Sequence, residues 1–191
     1  RVDGLGPDEQ VYAVRYFGEL ATVVTFRQTD PLYVVDLADP TRPRVLGELK
    51  IPGFSTYLHP IGDDRLLGVG QDADETGRVT GFQVSLFDLS DLSSPVQVDR
   101  LSLGPGWSPA SEDSRAVSYD PSRGLLALPF GDERGESSAL GVRVDGFDNK
   151  TATGSSFIKM DDLVSPRLGF SWDIKGDATT KLFGNLGRYY L

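Results

Sequence analysis

The sequence contains no cysteine and only one histidine among its 191 residues. The lack of cysteine excludes disulfides, thiol catalysis and cysteine-ligated zinc. The single histidine, His59, excludes multi-histidine metal sites and leaves any Ser-His-Asp arrangement with one candidate base. Long apolar runs are also missing, since no stretch reaches the roughly 18 residues of a membrane-spanning helix.

Positive charge is scarce. Lysine and arginine number 19 against 28 aspartates and glutamates, which gives a formal net charge of −9 at pH 7. This balance argues against a protein that binds the phosphate backbone of nucleic acid, because such a protein needs a basic face. The start of the chain shows no basic segment followed by an apolar one. We therefore expect any signal peptide to lie upstream or to have been removed.

Helical spacing of apolar residues is absent, and short strand-like runs take its place. These runs are rich in β-branched and aromatic residues and are separated by turn sequences such as Asp-Pro, Pro-Gly and Ser-Arg-Gly. They cover residues 11–17, 21–26, 32–37, 45–51, 56–59, 66–69, 82–89, 96–103, 116–119, 125–128 and 140–144. The sequence therefore predicts an all-β protein.

An internal repeat organises these runs. Four residues of the first copy recur 52 positions later: Asp36, Leu37, Asp39 and Pro43 correspond to Asp88, Leu89, Asp91 and Pro95. Aspartate accepts backbone N–H bonds in tight turns, and proline suits a position that donates no ladder bond. Four short antiparallel strands per repeat of this length are typical of a propeller blade. The repeat predicts blade one at about residues 11–51, blade two at about 54–103 and the start of blade three near 114.

Several ordered segments carry a family resemblance: residues 11–18, 23–37, 68–74, 119–121 and 125–129. Together they resemble the secreted bacterial proteins with a C-terminal β-propeller domain, over about residues 5–145. The resemblance implies a propeller distantly similar to WD-type repeats, exported from the cell and without established chemistry. A complete propeller needs at least about four blades. We therefore expect a partial propeller of about three four-stranded blades, the last one incomplete.

The last quarter departs from the repeat. Leu168, Phe170 and Trp172 alternate with polar residues, and a turn is expected at 175–180. This alternation suits a strand between lipid and a wet lumen, and equally an amphipathic hairpin of a soluble sheet. Segments 166–173 and 183–190 resemble a barrel hairpin of TonB-dependent outer-membrane receptors of the Oar-like subgroup.

The receptor resemblance implies specific roles for these side chains. Leu168 and Phe170 would face lipid, and Trp172, Tyr189 and Tyr190 would be girdle aromatics. Two strands cannot form a barrel, since about eight are the minimum, so this piece alone would not carry energised uptake. The two resemblances meet near residues 139–147. We expect a composite chain, natural or artificial, with a partial propeller at 1–140 and a receptor-like hairpin segment at 141–191.

One loop has the spacing of a calcium site. Asp72, Asp74 and Thr76 place oxygens at positions one, three and five, and Gly77 follows at position six, as in the first half of a calcium loop. The twelfth position is Gln83 instead of a bidentate glutamate, and the flanking segments are predicted strands. The loop is therefore either a weak calcium site or an acidic hairpin loop with solvated charges, and no other cofactor is expected.

Two further residues are candidates for a functional role. Trp107 falls in the predicted connection between blades two and three, where it can contact a partner or plug a propeller channel. His59 is matched by the repeat to Asp120, and no serine of the chain lies in a G-x-S-x-G elbow. A hydrogen-bonding role in a turn is favoured for His59 over catalysis.

These observations predict a non-catalytic β-propeller module, secreted or in the cell envelope, that binds a protein or envelope component and not nucleic acid. One alternative is a fragment of a TonB-dependent receptor that belongs in the outer membrane and takes part in uptake. A second alternative is an exported propeller enzyme. Open strand edges also predict self-association of the chain.

Overall fold

A computed structural model describes residues 2–3, 5–6, 9–26, 30–132, 137–150, 156–173 and 181–187, with backbone only beyond residue 144. The first four strands form one antiparallel sheet in chain order. They are β1 (Gln10–Phe17), β2 (Leu20–Phe26), β3 (Asp30–Asp36) and β4 (Arg44–Ile51). This sheet is blade one, and its limits agree with the predicted segment.

Blade two repeats the same meander. Its strands are β5 (Phe54–Ile61), β6 (Arg65–Ala73), β7 (Val79–Asp88) and β8 (Val96–Ser102), again paired in chain order. In both blades the repeated aspartate ends the third strand, and the fourth strand starts eight residues after it. The 52-residue repeat therefore corresponds to one four-stranded blade, as predicted.

The third sheet is larger than a blade. Its strands are β9 (Gly106–Trp107), β10 (Ser118–Asp120), β11 (Leu125–Asp132), β12 (Ser137–Lys150), β13 (Ser156–Asp173) and β14 (Lys181–Gly187). Strands β10 to β14 pair in chain order, and β9 pairs with β11. The hairpin of β13 and β14 confirms the strand pair predicted for the last segment, and the expected turn at 175–180 lies outside the described residues.

Two short 3-10 helices precede β10, at Pro109–Ser111 and Ser114–Ala116. The strand predicted at 116–119 therefore starts two residues late, because the side chain of Asp113 caps the second 3-10 helix by accepting the N–H of Arg115. The described residues contain no α-helix. Among them, no helix has the length and apolar character to cross a membrane.

The chain divides into two compact units, residues 1–106 and 107–191. The first unit contains blades one and two. The boundary predicted between residues 140 and 141 falls inside β12. The assignment of a separate domain to 141–191 stays a prediction.

The core of the first unit lies between its two blades. Apolar side chains on one face of β2 and β3 pack against blade two, and those on the other face pack against the N-terminal segment. The first set joins Val24, Leu32, Val34 and Ile51 to Phe54, Leu58, Leu66, Phe87 and Leu89. The second set joins Ala21, Val23, Tyr33 and Val35 to Val2 and Leu5. Both faces of these middle strands are buried, which explains why they read as continuous apolar runs.

A turn of blade two also packs onto blade one. A Cβ atom built on Gly47 of β4 would lie 2.5 Å from the carbonyl oxygen of Leu92. The side chain of Leu92 packs against the core between the blades. Glycine at position 47 thus permits a backbone contact that any larger residue would obstruct.

Candidate binding site on the inner strands

The two blades approach each other most closely along β1 and β5. By contrast, β4 and β8 make only slight contact. Because propeller blades are arranged radially around a central channel, the strands that come closest are the inner strands. Strands β1 and β5 are therefore the inner strands of this pair.

These two strands bring together a basic side chain and a group of rings. The guanidinium carbon of Arg15 lies 5.8 Å from the ring centroid of Tyr57, within the range of a cation–π contact. The Tyr57 hydroxyl lies 3.0 Å from Nδ1 of His59, and the two rings are stacked at 28°. Tyr12 and Phe54 make a second ring pair with centroids 4.6 Å apart. We call Arg15, Tyr57, His59, Tyr12 and Phe54 the inner-strand cluster.

Strand periodicity explains how the cluster forms. Residues two apart on a strand point to the same face, so Tyr57 and His59 lie side by side on β5. On β1 the register with β2 shifts between Val11 and Ala13, which makes Tyr12 the extra residue of a bulge. The contact of Tyr12 with Phe54 is made from this bulge.

Arg15 differs in its pairing from most of the described arginines. Several arginines form ion pairs with aspartates: Arg42, Arg44, Arg65, Arg100, Arg115 and Arg123. Arg15 is half-buried and forms no ion pair with a carboxylate of the described residues. The inner-strand cluster therefore contains a positive charge without an ion-pair partner among the described residues, in a protein whose net charge is −9.

His59 adds little charge of its own to the cluster at neutral pH. Partial burial lowers its pKa below the ordinary value of 6.5, and the positive charge of Arg15 lowers that pKa further. The neutral imidazole serves as a hydrogen-bonding partner of Tyr57. The charge of the cluster is thus carried by Arg15.

The predicted equivalence of His59 and Asp120 is wrong. His59 lies inside β5, which continues through Pro60 to Ile61. Asp120 ends β10 and accepts the backbone N–H of Ser122 at 2.9 Å, so it opens a turn. The sequence signal that was missed is the spacing of Tyr57 and His59, two residues apart on one strand.

The structure gives the oxygens of the predicted calcium loop other partners. Oδ1 of Asp72 lies 3.2 Å from Nη1 of Arg100. Oδ1 of Asp74 accepts hydrogen bonds from the backbone N–H and hydroxyl of Thr76 and from the N–H of Arg78. Among the described residues, no group of three or more His, Cys, Asp and Glu side chains is placed to hold a metal ion. Calcium binding here stays a prediction.

The remaining predicted site residues lie in the second unit. Trp107 belongs to β9, is 55% exposed, and covers Gly131, where an added Cβ would lie 2.7 Å from the indole Nε1. It is therefore held against β11 instead of lying in a free loop, and its role in binding stays a prediction. Leu168, Phe170 and Trp172 occupy alternate positions of β13. Tyr189 and Tyr190 lie outside the described residues.

A cleft of about 620 Å³ lies at one end of blades one and two, beside Phe17, Leu46 and Leu92. The charged residues on its wall include Asp36 and Arg44, which form an ion pair at 2.9 Å. A backbone hydrogen bond from Ala38 and the Arg44 guanidinium hold the pKa of Asp36 below its usual value. Because the charge of Arg44 is already compensated, the inner-strand cluster is the stronger candidate for binding a charged partner.

Comparison with known proteins assigns the family. The model of the β-propeller domain family matches residues 1–165. The chain belongs to this family. Uncharacterized proteins of Methanocaldococcus jannaschii and Archaeoglobus fulgidus are each 47% identical to it, over 129 and 131 residues. These matches cover 68% and 69% of this chain. The chain spans only 20% of the length of each relative. No solved structure matches the chain significantly.

The family match confirms the propeller prediction and extends it. The last residue matched by the family model, 165, lies within β13. The family match therefore includes part of the segment that resembles a receptor barrel. The comparisons give no support to the receptor resemblance at 141–191. The two relatives named above are archaeal, and nothing in them supports a bacterial or outer-membrane origin for this chain.

Proposed function

We propose that this propeller module is non-catalytic and binds a partner through the inner-strand cluster, within an exported or cell-envelope protein. The observation that carries the proposal is Arg15, whose guanidinium lies over the Tyr57 ring without a carboxylate partner among the described residues. Arginine and tyrosine are enriched at the positions that dominate binding energy in interfaces. A charge left uncompensated within the fold is available to a group on another molecule.

Binding is favoured over catalysis by the surroundings of His59. A general base needs the group that it deprotonates within about 3 Å and a pKa near the working pH. The hydrogen bond shown for His59 is to the Tyr57 phenol, and burial and Arg15 lower the pKa of the imidazole. This arrangement supports a positioning role for His59 within a binding surface. Export is proposed from the resemblance to secreted propeller proteins.

A photo-crosslinking experiment in the native host tests the binding surface. A photoreactive residue replaces Tyr12, which is 40% exposed on an inner strand, in the full-length protein. The matched control replaces Val98, which is 39% exposed on β8. We expect a crosslink to an envelope component from position 12 and none from position 98. Equal crosslinking from both positions, or none from position 12, would contradict the proposed surface.

Localisation is tested separately by fractionating cells that produce the full-length protein. We expect the protein outside the cytoplasm or in the envelope fraction. Recovery of the protein wholly from the cytoplasm would overturn the exported part of the proposal and leave the binding surface to be judged by crosslinking.

A further inference from the structure

We propose that the inner-strand cluster recognises a carboxylate attached to an apolar or aromatic group. This inference rests on the proposed function and names the chemistry of the partner at the same surface. It depends on Arg15 for the charge, on Tyr57 and His59 for the position of Arg15, and on the exposed Tyr12, which packs on the buried Phe54, for an apolar wall.

The first step is the presentation of the guanidinium. The contact at 5.8 Å places Arg15 over the face of the Tyr57 ring, and the hydrogen bond to His59 at 3.0 Å fixes that ring. A guanidinium is planar and carries five N–H donors in a rigid fork. Two of those N–H groups match the two oxygens of a carboxylate. The cluster thus presents a donor pair suited to carboxylate recognition.

The second step concerns the charge of the ligand. Arg15 supplies one positive charge, and the lowered pKa of His59 keeps the imidazole neutral near pH 7. The protein as a whole carries −9, and its field repels multiply charged anions more strongly than singly charged ones. A monovalent carboxylate is neutralised by Arg15, whereas a phosphate dianion keeps an excess negative charge. The charge balance therefore favours the carboxylate.

The third step concerns the group that bears the carboxylate. The register of β5 shifts between Ser55 and Tyr57, so Phe54 and Tyr57 pair with Gln71 and Val69 of β6 and lie only about 7 Å apart along the strand. That distance matches the length of a small arylalkanoic acid. Tyr12, packed on Phe54 and 40% exposed, offers ring surface at the far end of this path. Burial of such surface adds affinity that a bare carboxylate lacks.

Titration of the 191-residue chain followed by NMR tests the inference. The probes are phenylacetate, its neutral analogue phenylacetamide, and inorganic phosphate. We expect phenylacetate to shift the Arg15 Nε–Hε and Tyr57 ring signals in a saturable way. Phenylacetamide should bind about tenfold more weakly, since it forfeits a charge-assisted hydrogen-bonded pair, and phosphate should also bind more weakly.

Variants assign the effect to Arg15. Arg15→Leu should abolish saturable binding of phenylacetate, and Arg15→Lys, which keeps the charge without the planar donor pair, should weaken it about tenfold. Arg42→Leu is the matched control, because Arg42 is an exposed arginine of the same blade and already pairs with Asp39. It should bind phenylacetate like the parent chain. If Arg15→Leu fails to fold, as judged by circular dichroism, the affinity of Arg15→Lys for phenylacetate is the test of the inference.

Three results would overturn the inference: equal binding of phenylacetate and phenylacetamide, tighter binding of phosphate, or equal losses in the Arg15→Lys and Arg42→Leu variants. Absence of any response to phenylacetate would overturn it as well. A crosslink from position 12 that persists in that case would leave the proposed function standing. Phenylacetate binding without any crosslink would instead refute the partner and retain the carboxylate site.

Discussion

Aspartate stabilises corresponding turns in both blades. Asp36 and Asp88 accept the N–H of the residue two positions on, at 2.9 and 2.7 Å. Asp39 and Asp91 do the same for Thr41 and Ser93 and also accept their hydroxyl groups. This role was predicted from the repeat, because a short acidic side chain followed by a small polar residue is a local signal. The inner-strand cluster had only a partial local signal, the spacing of Tyr57 and His59 on one strand, since Arg15 and Tyr57 meet only after the blades pack.

Removing one of these turn bonds should destabilise the chain. Asp91→Ala removes the acceptor of the Ser93 N–H and hydroxyl, both bound to Oδ1 of Asp91. We expect the melting temperature to fall by a few degrees, as for loss of a side-chain cap. Asp91→Asn keeps an oxygen acceptor, so its melting temperature should fall clearly less than that of Asp91→Ala. Thermal unfolding followed by circular dichroism measures both, and equal losses would show that the hydrogen bond to Oδ1 is unimportant.

The same aspartates predict acid sensitivity. Hydrogen bonds from Ser93 hold the pKa of Asp91 below 3.8, and the hydroxyl and N–H of Thr41 and the Arg42 guanidinium do the same for Asp39. Their contribution is complete above pH 3.8 and is lost as the pH falls through the lower folded-state values. The urea concentration at the unfolding midpoint of the parent chain should therefore decrease when the pH is lowered below 4. Asp91→Asn should make this midpoint less dependent on pH. An unchanged pH profile in the variant would contradict the assignment.

His59 predicts a second pH dependence, at higher pH. Its pKa is lowered by burial and by Arg15, so the unfolded chain takes up a proton near 6.5 before the folded chain does. Stability should therefore fall as the pH drops below 6.5 towards the folded-state pKa. His59→Gln should have a smaller difference in urea midpoint between pH 7.5 and pH 5.5 than the parent chain. Parallel behaviour of the two proteins across this range would refute the role of His59.

The strands of the two blades were predictable from local sequence, and their ends were less so. The strand predicted at 56–59 is longer in the structure, Phe54–Ile61. Its pairing with β6 continues beyond His59 to Ile61, which lies opposite Arg65. The long strands β12 and β13 were not foreseen. Their pairing links residues such as Ala139 and Gly169, and no local pattern specifies such a distant partner. Non-local pairing also explains why Trp107, expected in a loop, lies in a strand beside β11.

Packing between the elements gives a sharper test at Gly47. An added Cβ would lie 2.5 Å from the carbonyl oxygen of Leu92 and 2.8 Å from that of Ser93, and backbone atoms cannot move aside cheaply. Gly47→Ala should lower the free energy of unfolding by about 1–3 kcal/mol, as overpacking does elsewhere. Glu48→Ala, at the exposed neighbouring position, should change it by less than about 0.5 kcal/mol. Urea unfolding of both variants checks this, and similar values for the two would mean that the turn yields to the added methyl group.

The whole chain combines a repulsive net charge with exposed apolar surface on an edge strand. Val11, Val14 and Tyr16 of β1 are 61%, 43% and 69% exposed. Among the described strands, β1 pairs on one side only, with β2, so its other edge is open to pairing with another chain. The net charge of −9 opposes association by repulsion between chains. Which effect prevails depends on the salt concentration.

Self-association should therefore increase with salt. At low ionic strength the acidic chains repel one another over about 30 Å, whereas at 1 M salt this range shrinks to about 3 Å. Apolar contact and edge pairing then decide the outcome, so light scattering should show oligomers in high salt at high protein concentration. Val14→Lys combined with Tyr16→Lys should restore the monomer, because lysine on an edge strand blocks pairing with another chain.

Val98→Lys, at a 39% exposed position of β8, should not restore it, because that substitution changes the net charge without altering β1. A chain that stays monomeric at every salt and protein concentration would contradict the prediction, and equal rescue by Val98→Lys would show that the association is not specific to β1.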